Sequence, residues 1–196
     1  RAPPVRRVEI PKGPGKVGTR PLGIPTVEDR LVQRAVARIV EAVFEADFLD
    51  CSYGFRPRRS PHHALRTLRA TLVTKKVRQL YEADIRGYFN HINHQWLMRM
   101  VAHRIADSVL LRLIGKWLRA GVMQDGVVVR TEAGTPQGGP LSPLLANVYL
   151  HFVLDLWFEK KVRRWFRGEA YLIRFADDFV ASFQYKRDAE SFDRYL

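Results

Sequence analysis

Residues 170–183, AYLIRFADDFVASF, contain two apolar arms on either side of Ala176-Asp177-Asp178. Two short apolar runs around a polar break predict a β-hairpin with the aspartates at its turn. Neighbouring carboxylates repel one another unless a positive charge neutralises them. Mg²⁺ suits such a turn, because it binds through one or two carboxylates and completes its shell with water and substrate phosphates. The hairpin is therefore the first candidate site, and its strands are the first elements of the fold.

A third carboxylate, Asp84, lies at the end of a second strand-like run, residues 77–85. If both strands belong to one sheet, Asp84, Asp177 and Asp178 meet at one edge of that sheet. Three acids at one edge suit two-metal phosphoryl transfer, in which one ion activates a hydroxyl and the other stabilises the leaving group. The alternative is a solvated hairpin turn beside an aspartate that merely ends a strand.

The charge balance points to a polyanionic partner. Lys and Arg number 33 against 20 Asp and Glu, which leaves a formal net charge of +13. A surplus of this size favours nucleic acid as the partner. A solvated basic surface is the simpler alternative. An anionic membrane surface is less favoured, because the basic residues are spread along the chain and form no polybasic tail.

Length and composition restrict the class of protein. The 196 residues suffice for one large domain or two small ones, and 46% hydrophobic with 27% charged residues is ordinary globular composition. The single Cys51 excludes a disulfide framework and a Cys-rich zinc module. No apolar run approaches the roughly 20 residues of a membrane span. The N-terminus shows neither a signal peptide nor a starting Met, so we expect the sequence to be an excerpt of a longer protein.

Other catalytic signatures are missing from the sequence. The six histidines are scattered, with no H-x-E-x-H pattern and no paired Cys, which argues against zinc catalysis. There is no G-x-x-x-x-G-K-[ST] loop for a nucleoside triphosphatase and no G-x-S-x-G nucleophile elbow.

The order of predicted elements is mixed, which indicates an α+β fold rather than a doubly wound parallel sheet. Residues 1–26 predict a basic hairpin, and Thr26 is a candidate cap for the helix that follows it. The remaining predictions are helices over 27–48, from Ser60-Pro61 to Leu72, over 96–105, over 108–118 and over 141–166, a strand over 77–85, and a hairpin in GVMQDGVVV.

Five blocks in collinear order resemble the reverse transcriptases encoded by bacterial group II introns, which also act as splicing maturases. The blocks are RRVEIPKGPGK with RPLGIPTVEDRLVQRAV, then SYGFRPRRSPHHAL, EADIRGYFNHINH, GTPQGGPLSPLLANVYL and IRFADDFV. The last two blocks are close to diagnostic in this order. SYGFRP and RPLGIPT favour the intron branch over the alternative of a retron-type or CRISPR-associated reverse transcriptase.

The resemblance implies an α+β right-hand polymerase with fingers and palm, an antiparallel palm sheet packed on helices, and no thumb. Residues 1–76 would form fingers, a basic hairpin plus helices. Residues 77–196 would be mainly palm, with fingers-type helices within 94–120, and the chain would end before the thumb.

The resemblance also implies RNA-directed DNA polymerase activity, which adds dNTPs to a primer 3′ end. Asp84, Asp177 and Asp178 carry over as the catalytic acids. They would hold two Mg²⁺ ions together with the carbonyl of Ile85, and Mn²⁺ could substitute. The alternative function is an RNA-binding maturase, a splicing cofactor that does not polymerise.

Further residues carry over as substrate contacts. Phe89 matches the position that excludes a ribose 2′-hydroxyl, since a flat apolar ring leaves that oxygen neither room nor a hydrogen bond. The other predicted dNTP-binding residues are Lys12, Lys16, Arg20 and Gln137. Predicted template contacts are Arg56, Arg58, Arg59, Gly138 and Gly139. Asn90 and Asn93 depart from a frequent Asp, and Phe175 departs from the usual Tyr.

The partners implied by the resemblance are an RNA template, intron RNA, a DNA primer or target and dNTPs, without a membrane. We expect a bacterial cytoplasmic protein, associated with the nucleoid when it acts on DNA. The sequence does not indicate an oligomeric state.

Overall fold

The computed structural model describes residues 2–11, 13, 17–124, 127–129, 133–135 and 138–196, and only the backbone of Arg20. Its strands and helices are β1 (Val5–Pro11), β2 (Thr19–Ile24), α1 (Val27–Glu45), α2 (Pro61–Thr74), β3 (Gln79–Asp84), α3 (Tyr88–His91), α4 (His94–Ala102), α5 (Ser108–Leu118), β4 (Val122–Gln124), β5 (Val127–Val129), α6 (Ser142–Leu150), α7 (Leu156–Lys160), β6 (Ala170–Phe175), β7 (Asp178–Phe183) and α8 (Lys186–Tyr195). Among the described residues there is no helix whose length and hydropathy suit a membrane span.

The chain forms two compact units, and each unit combines two separate segments. The first unit contains Arg1–Ala46 and Gly87–Tyr149, and the second contains Asp47–Arg86 and Leu150–Leu196. Neither unit coincides with the fingers and palm predicted for residues 1–76 and 77–196. The assignment of fingers and palm therefore stays a prediction.

The first two long helices begin at the residues that the sequence offers as caps. The Thr26 hydroxyl accepts a hydrogen bond from the Asp29 amide at 3.3 Å, and the Ser60 hydroxyl accepts one from the His63 amide at 3.3 Å. Each hydroxyl satisfies an amide that the first turn of a helix leaves without a partner. The predicted starts of α1 and α2 are confirmed, although α1 ends at Glu45 rather than at 48.

The first unit contains a four-stranded sheet in the order β2-β1-β4-β5. β1 and β2 pair antiparallel from Arg6 opposite Ile24 to Pro11 opposite Thr19, which confirms the basic hairpin. β4 and β5 also pair antiparallel, as GVMQDGVVV predicts, while their connection at Asp125-Gly126 lies outside the described residues. β1 and β4 pair in parallel, a long-range contact that no local pattern indicates.

Helices supply the apolar core of the first unit. Its fully buried side chains include Val40 and Phe44 of α1, Leu97 of α4, Ile114 of α5 and Val148 of α6. Two buried polar groups find partners across this core. The Trp117 indole donates to the Asp29 carboxylate at 3.0 Å, and the Tyr88 hydroxyl donates to the Ala146 carbonyl at 2.6 Å. These hydrogen bonds avoid the penalty of a buried polar atom without a partner.

The second unit contains a three-stranded sheet in the order β3-β7-β6, antiparallel throughout. The helix α2 packs on β6, where Ala64 and Leu68 meet Tyr53 and Ile173. The other face receives α8 through Phe192, whose ring lies in contact with several aromatic rings, those of Tyr81, Trp157, Phe158, Phe179 and Phe183, at centroid distances of 5.3–6.4 Å. The prediction of an antiparallel sheet packed on helices is confirmed.

The single long helix predicted for residues 141–166 is wrong in detail. The structure has α6, a π-helical turn at His151–Asp155, α7, and a 3₁₀ turn at Val162–Trp165. A π-helical turn inserts a residue into the α-helical repeat and changes the direction of the side chains that follow it. Asp155, the last residue of the turn, is fully buried.

The partner of Asp155 is Arg174, a fully buried arginine on β6. Its Nε and Nη2 donate to the two carboxylate oxygens of Asp155, each at 2.8 Å. Nη2 also donates to the Ser52 hydroxyl at 2.7 Å, and Nη1 donates to the Ala176 carbonyl at 2.8 Å. A buried ion pair tolerates desolvation only when its geometry is good and its other polar groups have partners. These hydrogen bonds use four of the five N–H groups of Arg174.

We expect Arg174→Met to lower the free energy of unfolding by about 3–5 kcal/mol, because it leaves the carboxylate of Asp155 buried without its cation. Chemical denaturation measures this change. The control is Arg163→Met, which removes an exposed i,i+4 ion pair with Glu159 at 2.6 Å. Such a pair contributes less than about 1 kcal/mol. Equal losses in the two variants would contradict the importance of the buried pair.

Candidate active site

The three predicted acids lie together at one end of the sheet in the second unit. Asp84 is the last residue of β3 and Asp178 the first residue of β7, and the two are paired directly across the strands. Directly opposed residues of antiparallel strands project their side chains from the same face of the sheet, about 4.5–5.5 Å apart at Cβ. Asp177 precedes Asp178 in the turn between β6 and β7. The strand register thus brings the predicted acids to one edge.

The electrostatics of the turn are unfavourable for Asp177. Its side chain is half-buried, whereas Asp84 and Asp178 are exposed. Burial raises the pKa of the Asp177 carboxyl, and the carboxylates of Asp84 and Asp178 raise it further. A hydrogen bond to its own backbone and the positive charge of Arg174 lower this pKa. The turn therefore carries an excess of negative charge that a divalent cation would relieve.

The backbone around the turn places one further predicted ligand nearby. The Ile85 amide donates to the Asp177 carbonyl at 3.4 Å, so the residue after Asp84 adjoins the hairpin turn. In the parts of the chain that the structure describes, no group of three or more His, Cys, Asp or Glu side chains is positioned so that it could hold a metal ion. The residues nevertheless suit Mg²⁺, because that ion needs few protein carboxylates and takes other ligands from water and phosphates.

Phe89 lies in the first unit, on the short helix α3. Its carbonyl accepts from the Thr135 amide at 2.7 Å, and its ring lies edge-to-face with Tyr88 at a centroid distance of 5.5 Å. Gly134 has a positive φ of 86°, and a Cβ there would approach the Phe89 carbonyl oxygen to 2.8 Å. The structure therefore fixes the backbone of Phe89 against Gly134 and Thr135, the first two residues of the block GTPQGGPLSPLLANVYL.

Two residues that depart from the family pattern have structural partners. The Asn93 side chain caps α4 by accepting from the Trp96 amide at 3.0 Å, a task that Asn and Asp perform equally well. Phe175 packs against the cluster of Tyr53, Ala64 and Ile173. Asn90 is exposed on α3.

The three predicted template arginines differ in their surroundings. Arg56 is 7% exposed, and its guanidinium donates to the carbonyls of Leu49 at 2.7 Å and Ser52 at 2.8 Å. The sequence predicts that Arg56 contacts the template, but its side chain is buried, because its guanidinium donates to these two carbonyls of the same loop. Arg59 pairs with Asp50 at 2.6 Å. Arg58 is exposed.

The predicted template glycines are close to backbone and side chains of the first unit. Gly138 has a positive φ of 124°, and a Cβ there would come within 2.5 Å of the Gly23 carbonyl oxygen. A Cβ on Gly139 would come within 2.6 Å of the Gln33 side-chain oxygen. Lys12, Lys16 and Gln137, and the side chain of Arg20, lie outside the described residues.

Sequence reasoning missed the residues that support the acidic turn from inside the second unit. Arg174 donates to the Ala176 carbonyl and is held by Asp155 and Ser52. One signal was available, because Arg174 is a cation within the apolar run AYLIRF, and a buried cation requires a partner. The sequence did not indicate which residues are its partners, since Asp155 and Ser52 are distant from Arg174 in the chain.

Carboxylates gathered at one site are compatible with the two-metal phosphoryl transfer that polymerases, nucleases and phosphatases perform. A model of the reverse transcriptase (RNA-dependent DNA polymerase) family matches residues 10–193 of the chain. The chain therefore belongs to the reverse transcriptase family, which confirms the family indicated by the five sequence blocks. Enzymes of this family use divalent metal ions.

Two curated relatives agree with this assignment. Protein YkfC of Escherichia coli K12 is 38% identical, and the match covers 90% of this chain and 53% of YkfC. Group II intron-encoded protein LtrA of Lactococcus lactis subsp. cremoris is 46% identical over 78% of this chain and 26% of LtrA. The chain thus spans about half the length of YkfC and about a quarter of LtrA.

Solved structures agree in fold. Apo telomerase from Candida tropicalis superposes with a TM-score of 0.68 at 11% identity, over 99% of this chain and 40% of that chain. A chain of a partial Cas6-RT-Cas1–Cas2 complex gives a TM-score of 0.50 at 23% identity, over 99% of this chain and 32% of that one. At these identities the likeness shows the fold alone, and it confirms the predicted α+β reverse transcriptase architecture.

The opposed pair of acids has a consequence for stability. In metal-free buffer at neutral pH, we expect Asp84→Asn to raise the free energy of unfolding by up to about 1 kcal/mol, because like charges directly opposite each other are destabilising. Glu82→Gln is a matched control, since Glu82 is exposed on the same strand and lies opposite Val180, which is uncharged. Chemical denaturation compares the two variants, and an equal effect in both would contradict the expected repulsion.

The raised pKa of Asp177 predicts a pH dependence. A carboxyl with a higher pKa in the folded state contributes stability at low pH, and this contribution is lost as pH rises through the folded pKa. In wild type, the free energy of unfolding should therefore decline as pH rises through the folded pKa of Asp177. We expect the Asp177→Asn variant to show a smaller decline, and to have a higher free energy of unfolding than wild type at neutral pH. Denaturation midpoints across an acid-to-neutral pH series measure the effect. A parallel pH profile in variant and wild type would refute it.

Proposed function

We propose that this chain provides the polymerase centre of a group II intron-type reverse transcriptase, which extends a primer 3′ end with dNTPs on an RNA template. The observation that carries the proposal is the convergence of Asp84, Asp177 and Asp178 at one end of the β3-β7-β6 sheet. The family assignment supplies the type of reaction, and the cluster supplies acids suited to it.

The metal chemistry follows from the charge of this edge. Asp84, Asp177, Asp178 and the Ile85 carbonyl are the proposed ligands of two Mg²⁺ ions, for which Mn²⁺ can substitute. When bound, the metals lower the barrier to attack by the primer 3′ hydroxyl and stabilise the pyrophosphate that leaves. The half-buried Asp177 gains most from this neutralisation, because burial and two nearby carboxylates oppose its charge in the free protein.

Residues of the chain also select and hold the nucleotide in this proposal. Phe89 excludes the ribose 2′-hydroxyl, and its backbone is held by the Thr135 amide. Lys12, Lys16 and Arg20 bind the triphosphate, and Gln137 contacts the incoming nucleotide. The net charge of +13 favours a polyanionic substrate and supports these roles.

The proposed partners are an RNA template, intron RNA and a DNA primer or target. For the template we propose contacts from exposed Arg58, from Arg59, and from the backbone of Gly138 and Gly139. Arg56 supports the loop that presents Arg58 and Arg59, since its guanidinium is occupied by the carbonyls of Leu49 and Ser52. We assign the palm function to the second unit, because that unit contains all three acids.

Primer extension on an RNA template tests the proposal. With Mg²⁺ and dNTPs, we expect Asp177→Ala in the natural-length protein to lower kcat by about 10³-fold or more, because it removes a carboxylate that positions the metals. Glu82→Gln removes one negative charge from the same strand and should retain wild-type kcat.

Two outcomes would contradict the proposal. If the Asp177→Ala variant extended the primer at the wild-type rate, these acids would be excluded as the catalytic centre. Absence of incorporation by the wild-type protein, with salt-sensitive RNA binding intact, would favour a splicing cofactor that binds RNA without polymerising.

A further inference from the structure

The turn that carries the catalytic acids contains a residue in an unfavourable backbone conformation. Ala176 has a φ of 58°, in the left-handed region that residues with a Cβ rarely adopt. It is buried and immediately precedes Asp177. Such a conformation persists only where the surrounding structure holds it. The contacts that hold Ala176 therefore bear on the direction in which Asp177 and Asp178 project.

One of these contacts comes from Arg174. Its Nη1 donates to the Ala176 carbonyl at 2.8 Å, while Nε and Nη2 are held by the carboxylate of Asp155. The planar guanidinium makes these bonds in fixed relative directions. The carbonyl that leads directly into Asp177 is consequently tied to a buried ion pair, which lies within the second unit and is 0% exposed at both side chains.

The second contact is made by the segment before Phe55. The Arg174 amide donates to the Cys51 carbonyl at 2.7 Å, and the Tyr53 amide donates to the Arg174 carbonyl at 2.8 Å. This segment therefore runs along the free edge of β6. It brings Gly54 so close to the turn that a Cβ would overlap the Ala176 amide nitrogen. That Cβ would also lie 3.0 Å from the Ala176 Cα and 3.1 Å from the Phe175 carbonyl carbon.

The need for glycine at position 54 comes from this close approach. Gly54 is not among the residues with a positive φ, so its backbone conformation does not by itself require glycine. The neighbouring atoms belong to the backbone of the acidic turn and cannot rotate away as a flexible side chain could. A side chain at position 54 would therefore have to displace the turn.

We propose that Gly54 and Arg174 are positioning residues for the metal-binding turn of the polymerase. Gly54 sets the position of the Ala176 amide by close backbone contact, and Arg174 fixes the Ala176 carbonyl through a hydrogen bond. Together they hold both ends of the same residue and thereby direct Asp177 and Asp178. This inference rests on the proposed function, since it assigns a task to residues that do not touch the substrate.

Gly54→Ala tests the proposal in the natural-length protein. We expect kcat for primer extension to fall about 10- to 100-fold, because displacement of a reacting group by about 1 Å has an effect of this size. The KM for dNTP should remain within about twofold of wild type, since the change acts on the metal centre rather than on nucleotide contacts. The dissociation constant of Mn²⁺, measured by electron paramagnetic resonance without nucleotide, should rise about tenfold or more.

Gly115→Ala is the matched control. Gly115 lies in α5 of the first unit, where the three atoms nearest to an added Cβ all belong to the flexible end of the Arg119 side chain, with Nη2 at 3.0 Å. This control should keep wild-type kcat and Mn²⁺ affinity. If Gly54→Ala is unfolded at the assay temperature, Ser52→Ala replaces it. That variant removes only the hydroxyl that accepts from Arg174 and should lower kcat at least threefold.

The outcomes separate the two proposals. A folded Gly54→Ala with kcat and Mn²⁺ affinity within twofold of wild type would overturn the positioning role, provided that Asp177→Ala is inactive. If Gly54→Ala is unfolded, an unchanged kcat and Mn²⁺ affinity in Ser52→Ala would overturn the positioning role in the same way. Full activity of Asp177→Ala would instead overturn the proposed function, and the positioning role with it.

Discussion

A single buried guanidinium connects the parts of the second unit that no local pattern joins. Arg174 contacts the π-helical turn through Asp155, the loop before α2 through Ser52, and the acidic turn through Ala176. A buried cation is tolerated only where anionic and carbonyl groups converge on it. The strand register of β6 and the position of the loop before α2 must therefore satisfy the hydrogen bonds of Arg174 at the same time. This requirement favours the observed arrangement over arrangements with a shifted register or a displaced loop.

The acidic edge shows the opposite arrangement of charge. Asp84 and Asp178 face each other across the strands, and Asp177 is half-buried beside them, so that burial and like charge both act against the folded state. Such a cluster is unfavourable in the free protein, and active sites commonly retain this kind of local instability. Buried Arg174 binds a backbone carbonyl of the turn and the carboxylate of Asp155, and no hydrogen bond to Asp84, Asp177 or Asp178 is among its contacts described above. The negative charge thus remains available to cations and to the groups they bind.

Sequence alone predicted the elements whose causes are local. Thr26 and Ser60 indicate the starts of helices, because a hydroxyl at that position accepts a hydrogen bond from an amide of the first turn. The apolar arms around Asp177 indicate a hairpin. The meeting of Asp84 with Asp178 was predictable as soon as both strands were assigned to one sheet.

The π-helical turn, the parallel pairing of β1 with β4 and the helix α8 were not predicted. The first two depend on tertiary pairing between distant residues, which periodicity does not encode. Gly54 illustrates the same limit, because the backbone it approaches lies more than a hundred positions further along the chain.

The composition of each unit from two segments bears on how the protein is made. Residues 47–86 belong with residues 150–196, yet the second segment of the first unit lies between them. During synthesis, which adds roughly 5–20 residues per second, β3 leaves the ribosome before its partner strand β7 exists. Its pairing edge must wait until β7 has been translated, and an unpaired strand edge is prone to wrong pairing during that interval. The edge that carries Asp84, Asp177 and Asp178 therefore forms only after β7 has been translated, and a ribosome that stalls before β7 releases a chain without it.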